Sequence, residues 1–275
     1  MRREARLLRA IAGTNVPHPA LIADCGDESV LGVAFYLMEP VDGFNPVGQL
    51  PMPHAGSPAM RHAMGLALVD GIAALGALDH QALGLADFGR PDNFLLPGRS
   101  LAQPACRLWR ICRLDRTAGA AQRRSHRRLA GTAPPGRFHP GIMHGDYHLA
   151  NVMYRPDSGD LAAIIDWELA TIGDPLLDLG WVLATWPDGS GASTVSVTPW
   201  EGFPTPAELV ARYGAGSARD LSAVDWYHVL ACYKLGILLE GTHARACAGK
   251  APRDTGDRLH SRAIHLFDRA QALIR

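Results

Sequence analysis

The feature that most constrains this chain lies in the twenty-five residues 144–168. An acid, an amide and a second acid stand there in fixed order. Asp146 and Asn151 belong to His-Gly-Asp-Tyr-His-Leu-Ala-Asn, and Asp166 to Ile-Ile-Asp-Trp-Glu. Asp and Asn five residues apart fit a loop in which the carboxylate takes a proton from a hydroxyl while the amide reaches a Mg²⁺. An Asp directly after a short apolar strand fits the other ligand of that metal. Phosphoryl transfer asks for this set, because the protein mostly positions groups and neutralises charge. Residues 152–154 and 161–165 read as two strands joined by Arg155-Pro-Asp-Ser-Gly-Asp160. One antiparallel hairpin would then carry Asn151 at its start and Asp166 at its end, on the same side of the sheet.

Plainer readings of the same residues exist. His144, Asp146 and His148 alternate, and in a strand they would share one face, where His and carboxylate could bind Zn²⁺. That reading leaves Asn151 and Asp166 unexplained. His148 is then expected to be an ordinary loop residue. Asp174 before Pro175 reads as a helix N-cap followed by Pro at the first helical position. Trp167 and Trp181 read as core residues.

Protein kinases carry equivalent elements as H-R-D-x-x-x-x-N and D-F-G. The variant here is H-G-D-x-x-x-x-N and I-I-D-W-E, followed by Gly173-Asp174-Pro175-Leu176-Leu177-Asp178-Leu179-Gly180-Trp181. With these motifs the chain resembles the aminoglycoside phosphotransferase and choline kinase-like family, kinase-fold enzymes that phosphorylate small molecules. The resemblance runs from Glu4 to the C-terminal helices, with one weak interval. It implies an α+β, protein kinase-like fold with an incomplete small N-terminal lobe and a helix-rich C-terminal lobe. Residues 1–42 would be the remnant of the small lobe and the hinge, and residues 43–275 the phosphotransferase lobe. Asp146 would be the catalytic base, Asn151 and Asp166 the Mg²⁺ ligands, and His144 a brace for the loop. ATP would be the phosphoryl donor and a small-molecule alcohol the acceptor.

The resemblance also implies a nucleotide site. Glu4, in Arg-Arg-Glu-Ala-Arg-Leu-Leu, takes the place of the helix glutamate that pairs with a phosphate-gripping lysine. Glu39 and Val41, in Glu-Pro-Val-Asp-Gly, take the place of the hinge whose backbone binds adenine. Taken alone, those five residues are only a turn.

Two departures qualify the resemblance. The chain holds only two lysines, Lys234 and Lys250, both late in the sequence. The Gly-rich hairpin and strand lysine of a kinase fold are expected before Met1, which makes a catalytically inactive truncated remnant or binding module the alternative function. The second departure is residues 95–136, rich in arginine with one acid, Asp115. Pro104, Pro134 and Pro135 break its partial helical spacing. Set between two segments of good resemblance, it reads as an out-of-frame stretch restored by a second shift, or as a disordered basic loop. Trp109 and Phe138 alone do not supply the groove-reading or stacking elements of a nucleic-acid surface.

Elsewhere the periodicity is clear. Leu7, Leu8 and Ile11 predict a helix over residues 4–12. Residues 21–23 predict a short strand, and the apolar run 33–38 predicts a buried strand. Ser57-Pro58 opens a helix whose apolar stripe runs to Leu78. Residues 176–186 read as a buried helix and 187–200 as a loop. Thr205-Pro206-Ala207-Glu208 is a capping box, and two long helices follow over 225–248 and 255–275.

Composition sets outer limits. A 275-residue chain with 47% hydrophobic residues has ample core. Its formal net charge of zero gives no global pull toward nucleic acid or an anionic membrane. No apolar run nears the roughly 20 residues of a membrane span. Five scattered cysteines without a CxxC pair fit reduced thiols in a cytoplasmic protein. Glu201, Glu208 and Glu240 are dispersed, so no acidic surface points to a polycationic acceptor.

Overall fold

The apolar stripe at the start of the chain forms α1 (Arg2–Ile11), which buries Leu7, Leu8 and Ile11 together with Glu4 and Ala5. The structure, a computed structural model, describes residues 1–91, 136, 138–187 and 195–274. The basic interval at 95–136, with its frame-shift and disordered-loop readings, lies outside the described residues apart from Gly136. Helix α1 packs on an antiparallel ribbon of β1 (Leu21–Cys25) and β2 (Phe35–Met38). Between the strands Asp27 caps a short helix, α2 (Glu28–Leu31).

The second strand corrects an expectation. The apolar run 33–38 predicts a buried strand, yet Val33, Leu37 and Met38 are 62%, 53% and 48% exposed. An apolar run does not reveal how many faces of a strand are covered. Here β2 pairs only with β1 among the described residues.

The element that organises the first unit is α3 (Pro58–Ala77). Ser57 caps it by accepting from the Met60 amide at 3.3 Å, and Pro58 occupies its first turn. Its buried face carries Met64, Leu68, Ile72 and Leu75. Two strands frame the functional loop, β4 (Gly141–Met143) and the antiparallel β7 (Thr171–Gly173). Between them in sequence lie β5 (Val152–Tyr154) and β6 (Leu161–Ile164), which form the expected hairpin with Val152 opposite Ile164. Buried phenols need an acceptor. The Tyr147 hydroxyl donates to the Leu68 carbonyl at 2.8 Å and that of Tyr154 to Met64 at 2.9 Å. Both the loop and the hairpin are therefore tied to the α3 backbone.

The chain continues into α4 (Leu176–Thr185). Asp174 caps its start, its Oδ1 accepting from the Leu176 amide at 3.0 Å. The expected loop 187–200 contains a short strand, β8 (Val197–Thr198), parallel to β3 (Gly48–Gln49). The capping box at Thr205 opens α5 (Pro206–Gly216), which packs on α3. Trp167 and Trp181 are both core residues. Residues 1–90, 139–178 and 195–219 make one compact unit, and residues 179–187 and 220–274 belong to a second.

The second unit is built on α6 (Val224–Cys247) and α7 (Arg253–Leu273), packed along their length. In α6 the buried His228 leaves its Nε2 without a hydrogen-bond partner among the described residues. Burial, with Arg269 adding to it, pushes this imidazole down to about 3. An unfolded histidine binds its proton near pH 6.5 and the folded one does not, so stability is full above that pH and declines as pH falls toward 3. The decline should approach about 1.4 kcal/mol per pH unit. Denaturant unfolding of His228→Leu should show a flatter acid limb than the parent between about pH 6 and about pH 4. Equal acid sensitivity would show that another group governs it.

Candidate active site

The two acid-bearing segments meet at one end of the β5–β6 hairpin. Asn151 closes a single 3-10 turn (Leu149–Asn151), and its carbonyl accepts from the Ile165 amide at 3.0 Å, next to Asp166. The Asn151 side chain donates through Nδ2 to the Asp146 carbonyl at 2.8 Å and to Asp146 Oδ2 at 3.2 Å. Asp146 and Asn151 are thus in direct contact, and the backbone of Asn151 is bonded to the residue before Asp166. Asp166 is the one non-glycine residue with positive φ among the described residues, at φ 63°, ψ 61°. Asp is among the few side chains that tolerate this conformation.

His144 links the segments. Its Nε2 lies 2.8 Å from the Ile165 carbonyl, and its Nδ1 accepts from the Asp146 amide at 3.3 Å. That pattern is a neutral ring with the proton on Nε2. Burial holds its pKa below the usual histidine value. Both nitrogens are spent on backbone, which removes His144 as a zinc ligand. The strand geometry assumed for that reading also fails, because residues 144–148 form a bent loop in which Gly145 has φ 86°.

His148 is a loop residue, as expected, but its side chain enters the site. Nδ1 accepts from the Ala150 amide at 3.2 Å, and Nε2 lies 3.3 Å from Asp146 Oδ1. Both oxygens of Asp146 are therefore held, one by Asn151 and one by His148. The carboxylate remains about a third exposed, with side-chain exposure of 32%.

Asp178 was quoted in the sequence motif without a role. It is 1% exposed, and its carboxylate accepts from the His144 amide at 2.6 Å and the Gly145 amide at 2.9 Å. The signal was available: an acid inside the apolar helix Leu-Leu-Asp-Leu-Gly-Trp needs partners to be buried. Asn45 gave no such signal. Its Nδ2 donates to the carbonyls of Ala150 and Val152, at 2.7 and 3.1 Å, on either side of Asn151.

The expected nucleotide residues are placed as follows. Glu4 is buried and accepts from the Tyr36 hydroxyl at 3.2 Å and from the Met1 ammonium at 2.5 Å. The Tyr36 phenol is pushed up chiefly by burial, then by Glu4 and by Asp166. Tyr36 thus bonds Glu4 and lies within electrostatic reach of Asp166. Glu39 is exposed and its amide donates to the Ala20 carbonyl at 2.9 Å. Val41 follows, half-buried.

Gly145 is required by geometry. A Cβ there would lie 2.6 Å from the Leu169 carbonyl oxygen, and φ 86° disfavours L side chains. Gly145→Ala should destabilise by at least about 1–2 kcal/mol from the backbone conformation alone. An unchanged unfolding midpoint would show that the loop adapts freely.

Comparison with known proteins bears on the family and the fold. A sequence model described as "Phosphotransferase enzyme family" (APH) matches residues 1–227. A solved structure from Ralstonia eutropha JMP134, described as a candidate aminoglycoside phosphotransferase, superposes with a TM-score of 0.82 at 30% identity, covering 98% of this chain and 83% of that one. Aminoglycoside phosphotransferase APH(4)-Ia, in ternary complex with AMP-PNP and hygromycin B, shares the fold at a TM-score of 0.62 and 17% identity, over 98% of this chain and 83% of its own. Acyl-CoA dehydrogenase family member 10 of Mus musculus is 26% identical over 263 residues, which cover 92% of this chain and 24% of that protein. The chain spans about a quarter to a third of the length of the curated relatives it matches (24% to 33%). On the motif, the fold and the extent of these matches, the chain belongs to the APH phosphotransferase enzyme family, with its kinase-like fold.

Proposed function

We propose that the chain transfers the γ-phosphoryl group of ATP to a hydroxyl of a small molecule. The observation that carries this reading is the junction of Asp146, Asn151 and Asp166 at one end of the hairpin. Asp146 orients the acceptor hydroxyl and takes its proton. Fixing both carboxylate oxygens through Asn151 and His148 sets the direction of that transfer before the acceptor arrives. His144 joins the Asp146 amide to the Ile165 carbonyl and so holds the two segments in register.

The donor set suits Mg²⁺. Asp166 offers a carboxylate, and Asn151, with its Nδ2 spent on Asp146, has its amide oxygen left to ligate. When bound, the cation neutralises charge on the transferring group. Adenine is read by the backbone of Glu39 and Val41, and Glu4 orders the phosphate side through Tyr36. A relative bound to AMP-PNP and hygromycin B supports a nucleotide donor and a hydroxyl-rich acceptor. Free thiols at Cys25 and Cys247 are compatible with a reducing, cytoplasmic setting. No helix among the described residues is long and apolar enough to cross a membrane.

A second reading is a binding module without turnover. It is favoured by one fact: the only lysines are Lys234, in α6, and Lys250, so the first unit has none to grip phosphates. One experiment separates the two. Incubating the 275-residue chain with Mg²⁺, γ-labelled ATP and a panel of aminoglycosides, choline and sugars should move label to an acceptor. Nucleotide binding without label on any acceptor or in free phosphate would favour the module.

A further inference from the structure

A second group of reactive side chains lies on the α6–α7 pair, apart from the residues used above. Cys247 ends α6, is exposed, and is a free thiol. Its Sγ is 3.5 Å from Nε2 of His243, one helical turn earlier. His243 is 8% exposed, and its Nδ1 is buried without a hydrogen-bond partner among the described residues. Asp257 Oδ1 of α7 stands 3.6 Å from that nitrogen. Arg253, also of α7, holds Asp257 through Nε at 3.1 Å and places Nη1 3.5 Å from the sulfur. The His260 ring stacks on His243 at 4.4 Å and 21°, and its Nδ1 is 2.7 Å from Glu240.

The helix packing makes this convergence. A Cβ at Gly256 would lie 2.3 Å from the Ala246 Cβ, so only glycine lets α7 come this close to α6. Gly256 adjoins Asp257 and sits against the turn that carries His243. Two elements thus bring a thiol, an imidazole, a carboxylate and a guanidinium into one cluster.

We propose that Cys247 is a thiol-modification site, activated by His243 and Asp257, that exchanges with low-molecular-weight disulfides. In the reaction His243 Nε2 takes the Sγ proton as the sulfur attacks one sulfur of R–S–S–R. The Sγ–S bond forms and the S–S bond breaks. The departing thiolate takes the proton from His243 and leaves as RSH. Asp257, 3.6 Å from the other ring nitrogen, balances the transient charge of the ring. Arg253 faces the negative charge that develops on sulfur.

The test uses the intact chain and oxidised glutathione, with modification followed peptide by peptide in a mass spectrometer. Cys25, half-buried with its thiol donating to the Asp27 carbonyl, is the internal reference. Cys247 should react at least about tenfold faster than Cys25. His243→Gln should bring it down to the reference rate. His243 is buried, so Asp257→Asn and Arg253→Gln, at half-exposed and exposed side chains, are measured beside it. Each should slow Cys247 several-fold while leaving Cys25 unchanged. Equal rates for the two cysteines in the parent would overturn the proposal. So would parent-like Cys247 rates in both Asp257→Asn and Arg253→Gln.

Discussion

Asp146→Asn should lower phosphoryl transfer by about 10²–10⁴-fold, the usual loss for a positioned general base. The substitution preserves volume but removes the proton acceptor. It also inserts an NH₂ group between two donors, Asn151 Nδ2 at 3.2 Å and His148 Nε2 at 3.3 Å. One of those contacts must become donor against donor, so the side chain should turn as well as lose its charge. Nucleotide affinity should hold, because the proposed adenine contacts lie at Glu39 and Val41. Phosphate release from MgATP and calorimetric titration of the same preparations check both halves. A variant with parent turnover would remove Asp146 from the chemistry, and the mechanism with it. A variant with lost affinity and unchanged turnover at saturation would move Asp146 to binding.

Much of this site was legible because its elements are local. Asp146 and Asn151 are five residues apart, and a hairpin with short strands returns the chain to Asn151 from Ile165. The order of residues in such a segment nearly determines the geometry. The buried faces of α1 and α3 were legible for a similar reason, since helical spacing leaves few alternatives. Partners distant in sequence were not. Asn45 reaches the carbonyls of Ala150 and Val152 across more than a hundred residues, and no periodicity encodes that contact. Tyr36 looked like one more member of an apolar strand, yet its hydroxyl meets Glu4. His148 looked like a spacer because a loop histidine carries no pattern. The covering of β2 was misread because hydrophobicity reports a tendency to be buried, whereas burial also requires a neighbour. The convergence of His243, Cys247, Arg253 and Asp257 depends on the interhelical distance set at Gly256, which neither helix reveals alone.

Asp178→Ala should give the largest loss of stability near the site. The carboxylate is 1% exposed, and its oxygens accept the amides of His144 and Gly145. Deleting it leaves two amides without their acceptor, at about 1–3 kcal/mol each. The loop cannot easily repair this. Gly145 has φ 86° and lies against the Leu169 carbonyl, while His144 is fixed by Ile165 on the other side. Asp178→Asn keeps one acceptor oxygen and presents a donor to the other amide, so its loss should be about half as large. Thermal unfolding should therefore rank the parent above Asn and Asn above Ala. Hydrogen exchange adds a local reading: the His144 and Gly145 amides should exchange slowly in the parent and quickly in Asp178→Ala, even under conditions where both proteins are folded. Turnover should fall with that local opening, because His144 then no longer holds Asp146 against the segment that carries Asp166. An Asp178→Ala protein with parent stability and protected amides would show that the loop is held from elsewhere.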